Sequence, residues 1–327
     1  MKYLKLFVLL LFATTASAQK TDTLVKKLDS LEKKADKVGQ NNNINPGAYN
    51  ERTQITPRSY FILLWSDLKQ QYTAPFRMTG QDWKRAGTFS LLAGALAFAD
   101  KPVQKQAIKF KRSSNTASNI SSFITNTGGI YESVALLGFG TYGFLFKNQK
   151  MQTTTFLASQ AYLTSAAVSY TAKYLSGRQR PSVYSSDQVT ADPTFRGPFA
   201  DLGKDKNGKK QNSSFPSGHT TVAFAAATVY AMEYRDKPWV PILSYSAASL
   251  IGLSRLTENR HWATDVLVGA ALGHLSGRQV VNNYHRYQKI KSAPSPSVKE
   301  NYKKKRLSFG ANYVDGQVLG SIRWSAQ

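Results

Sequence analysis

An all-α bundle of about six core helices, carrying a short C-terminal β-hairpin, is the fold class this sequence predicts, on three observations. Apolar, Ala- and Gly-rich segments with helical periodicity recur from about residue 58 to 284; strand signals are missing there; and only the last twenty-one residues alternate with a period of two.

The helical segments run at roughly 58–72, 82–99, 130–146, 152–176, 219–234, 239–255 and 262–284. Each has an apolar face that must be covered by another helix, which makes a bundle. The connection 100–112 holds five basic residues, and Ser182 to Phe215 is a polar stretch rich in Gly, Asp, Ser and Lys. A loop that long inside a domain is functional or disordered.

The first eighteen residues run Lys2 and Lys5, an apolar stretch Leu6 to Ala13, then Ala16-Ser17-Ala18, the order of a secretory signal peptide. The mature chain is expected from Gln19. In the polar region 19–58, Leu24, Leu28, Leu31, Ala35 and Val38 mark one helix, and Asn41-Asn42-Asn43 with Pro46-Gly47 a linker. The α-helical domain is expected over 59–288, a basic linker over 289–306 and the hairpin over 307–327. In the hairpin Leu307, Phe309, Ala311 and Tyr313 share a face, Asp315-Gly316 supplies the turn, and Val318, Gly320, Ile322 and Trp324 return. Two strands alone are marginal, so the hairpin should dock on the bundle, another copy or a membrane surface.

Cysteine is absent, which excludes disulfides, thiol catalysis and thiolate metal sites. Net charge is +24, or +22 without the two signal lysines, and calls for an anionic partner: lipid headgroups, polysaccharide or a phosphorylated substrate. Export argues against nucleic acid. Met151 to Ala172 is uncharged but carries five threonines, three serines and two glutamines, and the uncharged run Ser133 to Phe146 is only fourteen residues. A spanning helix wants about twenty mostly apolar residues. Basic residues fall on both sides of the helices, so no orientation emerges. The expectation is a periplasmic or membrane-associated bundle on an anionic membrane surface, with an integral protein as the alternative.

Three blocks at helix ends carry the chemistry. Lys173 is followed by Arg180-Pro181; Pro216-Ser217-Gly218-His219 opens a helix; Ser254-Arg255 precedes His261 and Asp265. Lys173, Arg180 and Arg255 supply the cations that a tetrahedral dianion needs around its oxygens. Ser217 and Gly218 place backbone N–H groups at a helix N-terminus, where the dipole favours an anion. His219 beside them can protonate a departing alkoxide. His261 and Asp265, four apart on one helical face, let the carboxylate accept from one ring nitrogen while the other faces phosphorus.

In order and in full, these blocks resemble the motif set of the type 2 phosphatidic acid phosphatase superfamily, shared with class A acid phosphatases and vanadium haloperoxidases. The resemblance spans roughly 82–284. It implies phosphate binding by Lys173, Arg180, Ser217, Gly218 and Arg255, acid catalysis by His219, attack by His261 and orientation by Asp265, without a metal or other cofactor. A phosphorylated lipid such as phosphatidic acid, phosphatidylglycerol phosphate or an isoprenyl diphosphate is the expected substrate. Small soluble esters, or halide oxidation with vanadate in the same pocket, are the alternatives. Among the remaining residues, His274 and His285 read as packing or surface groups, Tyr60, Phe61, Trp65, Trp83 and Phe98 as core or an acyl groove, and Lys204, Lys206, Lys209 and Lys210 as a solvated loop or a headgroup contact.

Overall fold

The structure, a computed structural model, describes residues 54–182, 187–199, 211–292, 307–314 and 317–324, with side chains outside 126–133 and up to 288. The signal peptide, most of the 19–58 region, the four loop lysines and the Asp315-Gly316 turn lie outside the described residues. The chain divides into two units, Met1–Arg286 and Tyr287–Gln327.

The first unit is all-α. Its helices are α1 (Pro57–Thr73), α2 (Gly80–Phe98), α3 (Asp100–Arg112), α4 (Asn115–Leu145), α5 (Gln149–Ser176), α6 (Gly218–Glu233), α7 (Trp239–Thr257) and α8, Ala263–Ser292, which runs on into the second unit. The starts are written in the sequence. Thr56 and Thr79 form capping boxes with Ser59 and Asp82, and Asn148 caps α5 through the amide of Met151.

Two expectations are corrected here. The basic connection 100–112 is helix α3: Asp100 sits in its first turn and Lys109, Lys111 and Arg112 in its last, so the charges oppose the helix dipole. The segment expected from 130 begins at Asn115, where the Ser114 hydroxyl accepts from the amide of Ala117. Its first turns are too polar to show apolar periodicity.

α5 buries Gln152, Thr153, Thr154, Gln160, Thr164 and Ser169 among its apolar residues. Two of the hydroxyls are satisfied within the helix, Thr154 Oγ1 donating to the Lys150 carbonyl at 2.8 Å and Thr164 Oγ1 to that of Gln160 at 2.9 Å. Gln160 instead reaches α1, donating to the Tyr60 carbonyl at 2.8 Å. On α1, buried Asp67 accepts from Asn283 of α8, and burial lifts its pKa to about 7.

α6 lies at the centre, packed against α5 and α7. Its approach to α8 is set by glycines. A Cβ at Gly269 would meet the Ser217 carbonyl at 2.7 Å, one at Gly273 would fall on the Thr221 carbonyl and reach the Ala225 nitrogen at 2.9 Å, and one at Gly277 would strike the Ala225 carbonyl. Backbone therefore packs on backbone, and the start of α6 is held against the start of α8.

In the second unit β1 (Leu307–Val314) pairs antiparallel with β2 (Gln317–Trp324), setting Leu307 opposite Trp324, Phe309 opposite Ile322 and Tyr313 opposite Val318.

The glycine stripe is open to test. Gly273→Ala should cost about 1–3 kcal/mol through overpacking. Gly94→Ala on α2, where a Cβ meets nothing within 4 Å, should gain about 0.5–1 kcal/mol through reduced unfolded-state entropy. Urea midpoints measure both, and equal responses would rule out the close approach.

Candidate active site

α5 delivers the first block. Gly177 ends the helix with φ 53°, its N–H donating to the Lys173 carbonyl at 3.1 Å, and a Cβ there would fall on the Gly197 carbonyl oxygen. Only glycine fits. The chain then turns through a bridge between Arg178 and Phe195 and pairs the Arg180 amide with the Gln211 carbonyl at 2.9 Å.

From the last turn of α5, Lys173 Nζ donates to the Ser213 carbonyl at 3.0 Å and to that of Pro216. A Cβ on Gly218 would lie 3.4 Å from Lys173 Cε, so this lysine stands beside the first turn of α6. The opening N–H groups of a helix have no intrahelical acceptor and carry its positive end. Ser217 is an exception to what the sequence suggests: its N–H is committed to the Asp265 carbonyl at 2.9 Å, while its hydroxyl accepts from Thr220 Oγ1 at 2.8 Å. Donation to an anion therefore falls to the Ser217 hydroxyl and to the amides beyond it. His219 is exposed on that same turn.

Arg180 is aimed by the Ser213 hydroxyl at 3.2 Å and the Arg260 carbonyl at 3.2 Å. Arg255, buried in the last turn of α7, lies 3.3 Å from the Ser254 hydroxyl, and its carbonyl accepts from the amides of Arg260 and His261. Asn259 completes that turn with φ 55°. The α7 end and the histidine that follows are thereby one piece.

His261 is buried, and its Nδ1 lies 2.7 Å from the Ser214 carbonyl. A carbonyl can only accept, so Nδ1 carries the proton and Nε2 the lone pair. Asp265 was expected to be that acceptor; its Oδ2 stands 3.7 Å from Nδ1, beyond hydrogen-bonding distance. The carboxylate is taken up elsewhere, by Arg178 Nη1 on Oδ1 at 2.6 Å and by the Ser214 hydroxyl and the Trp262 amide on Oδ2.

Electrostatics ties these groups together. Burial holds the His261 pKa well below its ordinary value; Asp265 opposes this, and the charges of Arg180 and Lys173 reinforce it. Burial, helped by Arg180 and opposed by Asp265, brings Lys173 down to about 7. Burial alone would raise Asp265, but the His261 ring, Arg178 and the Ser214 hydroxyl outweigh it and hold the carboxyl below its usual range. The pocket thus pairs a neutral imidazole with a surplus of positive charge, an arrangement made for a dianion. Among the described residues no cluster of three His, Cys, Asp or Glu could hold a metal ion.

Residues 154–289, which contain all of these blocks, match the PAP2 superfamily.

The chain is 53% identical over 66 residues to the lipid A 1-phosphatase of Porphyromonas gingivalis, covering 20% of this chain and 15% of that protein. It is 42% identical over 72 residues to the probable diacylglycerol pyrophosphate phosphatase 1 of Schizosaccharomyces pombe, covering 18% and 26% respectively. The matched segment is thus about a quarter or less of either relative. Among solved structures, a transmembrane PAP2-type phosphatidylglycerolphosphate phosphatase from Bacillus subtilis is similar at TM-score 0.41 and 22% identity, over 59% of this chain and 90% of that one. LpxE of Aquifex aeolicus is similar at TM-score 0.40 and 20% identity, over 56% and 94%.

Sequence reasoning missed the residues behind this site. Arg178, a spacer between Lys173 and Arg180 in the sequence, is 1% exposed and bridges two carboxylates, Asp265 and Asp100. Thr264 joins them, its amide on Asp100 Oδ1 at 3.0 Å and its hydroxyl on Asp100 Oδ2 at 2.7 Å. The rings of Phe195 and Phe215 stack on the guanidinium at 4.7 and 5.9 Å. Nothing in the spacing marks Arg178, and Asp100 lay in a stretch that reads as a loop.

Removing one partner from a buried ion pair typically costs about 3–5 kcal/mol, because the other charge is left uncompensated. Arg178→Met should therefore lower stability by about that much, and adding Asp100→Asn should recover part of the loss. Denaturant unfolding of the single and double variants measures it; simple additivity would show that the two charges are not coupled.

Proposed function

We propose that this chain is a metal-independent phosphatase that hydrolyses the phosphate monoester or diphosphate of a lipid through a phosphohistidine on His261. The observation that carries this reading is the 2.7 Å contact of His261 Nδ1 with the Ser214 carbonyl, which leaves a nucleophilic Nε2 in the field of Lys173 and Arg180. Lys173, Arg180, Arg255, Ser217 and Gly218 hold the phosphate. Their charge offsets that of the equatorial oxygens and takes the place a metal ion would fill.

In the first step the Nε2 lone pair attacks phosphorus, the ester P–O bond breaks, and His219 gives its proton to the leaving alkoxide. In the second, His219 takes a proton from water, the hydroxide attacks the phosphohistidine, the P–N bond breaks and inorganic phosphate departs. Asp265 acts at one remove: it fixes the Ser214 hydroxyl and the Trp262 amide on either side of His261, and from 3.7 Å it stabilises the positive charge that forms on the ring.

A lipid substrate is supported by the likeness to two relatives, a lipid A 1-phosphatase and a probable diacylglycerol pyrophosphate phosphatase. It is supported also by the surface. Phe98 is 93% exposed, Leu91 77% and Leu137 70%, apolar groups that suit contact with hydrocarbon. No helix among the described residues is long and apolar enough to cross a membrane. With net charge +24, the reading is an exported protein lying on, or partly in, an anionic membrane surface.

Phosphate release by residues 19–327 with EDTA present, from phosphatidic acid, phosphatidylglycerol phosphate, isoprenyl diphosphate and an aryl phosphate, tests the reaction. His261→Ala should abolish release and Asp265→Asn should leave a slow enzyme; parental rates in His261→Ala would sink the mechanism. Halide oxidation with vanadate but no phosphate release would favour the haloperoxidase reading.

The pH dependence has a definite sign. Lys173 must be protonated to bind the dianion, and it loses its proton near pH 7 in the free enzyme, so kcat/KM should fall on the alkaline side of that value. Arginine keeps its charge throughout. Lys173→Arg should therefore move the alkaline limb upward, whatever it does to the maximum rate; an unmoved limb would assign it to another group.

A further inference from the structure

A cavity of about 340 Å³ runs between α6 and α7, with Phe139 of α4 on one side. This lies in the size range of ligand sites. Its walls are almost wholly apolar: Ala223, Ala227 and Tyr230 from α6, and Leu243, Ala247 and Ile251 from α7. Lys237 and Trp239 stand at the end where α7 begins. Ala223, Ala227 and Ile251 belong, with Ala248, to a buried cluster that joins the two helices, so the cavity has a packed floor.

The other end of the groove, at Ala223 and Ile251, approaches the candidate active site, none of whose residues lines it. Ala223 follows His219 by four residues, and Ile251 precedes Arg255 by four, so each lies one turn away on the same helical face. Tyr230 is eleven residues beyond His219, about 16 Å along the helix axis. The cavity therefore begins about one helical turn from the phosphate site and runs down the bundle, over a length that takes most of a fatty-acyl or prenyl tail.

We propose that this α6–α7 cavity is the tail site of the enzyme, holding the hydrocarbon chain of a phosphorylated lipid while its phosphate sits against Arg255, Lys173 and the first turn of α6. This rests on the phosphatase reading and deepens it: the substrate is an amphiphile with a single long, flexible chain directed along the groove. Tyr60, Phe61, Trp65, Trp83 and Phe98, the aromatics that the sequence offers for such a groove, line no part of it.

Release from a soluble aryl phosphate, lost in His261→Ala, checks the phosphatase reading by itself. The tail site is then read from n-alkyl phosphates of increasing length. In the parent protein kcat/KM should rise by up to about four-fold per added methylene until the groove is full, then level off. Filling the cavity with Ala226→Phe or Ala247→Phe should lower the ratio of long-chain to aryl-phosphate kcat/KM by roughly ten-fold or more. A flat dependence on chain length in the parent, or an unchanged ratio in both variants, overturns the tail site and leaves the phosphatase reading standing.

Discussion

The rest of the site depends on one buried ion cluster, Arg178 between Asp100 and Asp265. It joins the start of α3, the loop after α5 and the first turn of α8, three pieces far apart in the chain. Burying an arginine is tolerable only if its charge is matched, and here two carboxylates match it while engaging both terminal nitrogens. The cluster fixes the position of Asp265, which fixes Ser214 and the Trp262 amide, and these bracket the histidine. By balancing Asp265 from behind, Arg178 also reduces the anionic field at His261. The ring stays neutral, and the uncompensated positive charge of the pocket lies ahead of it, where a phosphate would bind.

α6 shows how small residues serve opposite ends in one helix. On the side facing α8, glycines on the partner bring backbone against backbone and hold the Ser217 amide on the Asp265 carbonyl. On the side facing α7, Ala223 and Ala227 pack with Ala248 and Ile251 and line the floor of the cavity. One face supplies rigidity and the other supplies room, and both begin at Gly218.

What the sequence disclosed follows from what a sequence can encode locally. The later helices were legible because they run through long apolar, Ala-rich segments with helical periodicity. α3 was not, since its inward face is Asp100, Gln104 and Ile108, two of them polar, and polar residues give no periodic signal. The blocks at Lys173, Ser217 and His261 were legible as residue types needed around a phosphate. Their close arrangement was not, because an orienting group can be a main-chain carbonyl such as that of Ser214, to which any residue type contributes equally. The same limit hid Arg178, whose role depends entirely on carboxylates distant in the chain.

That last point bears on how such a site can change over generations. The group that sets the tautomer of His261 is a peptide oxygen, and no codon substitution at position 214 deletes it. Selection therefore acts on the backbone path through Ser213 and Ser214, held by Arg180 and Lys173, more than on the identity of the acceptor. Drift among the surrounding side chains can alter the pocket while the imidazole keeps its proton on the same nitrogen.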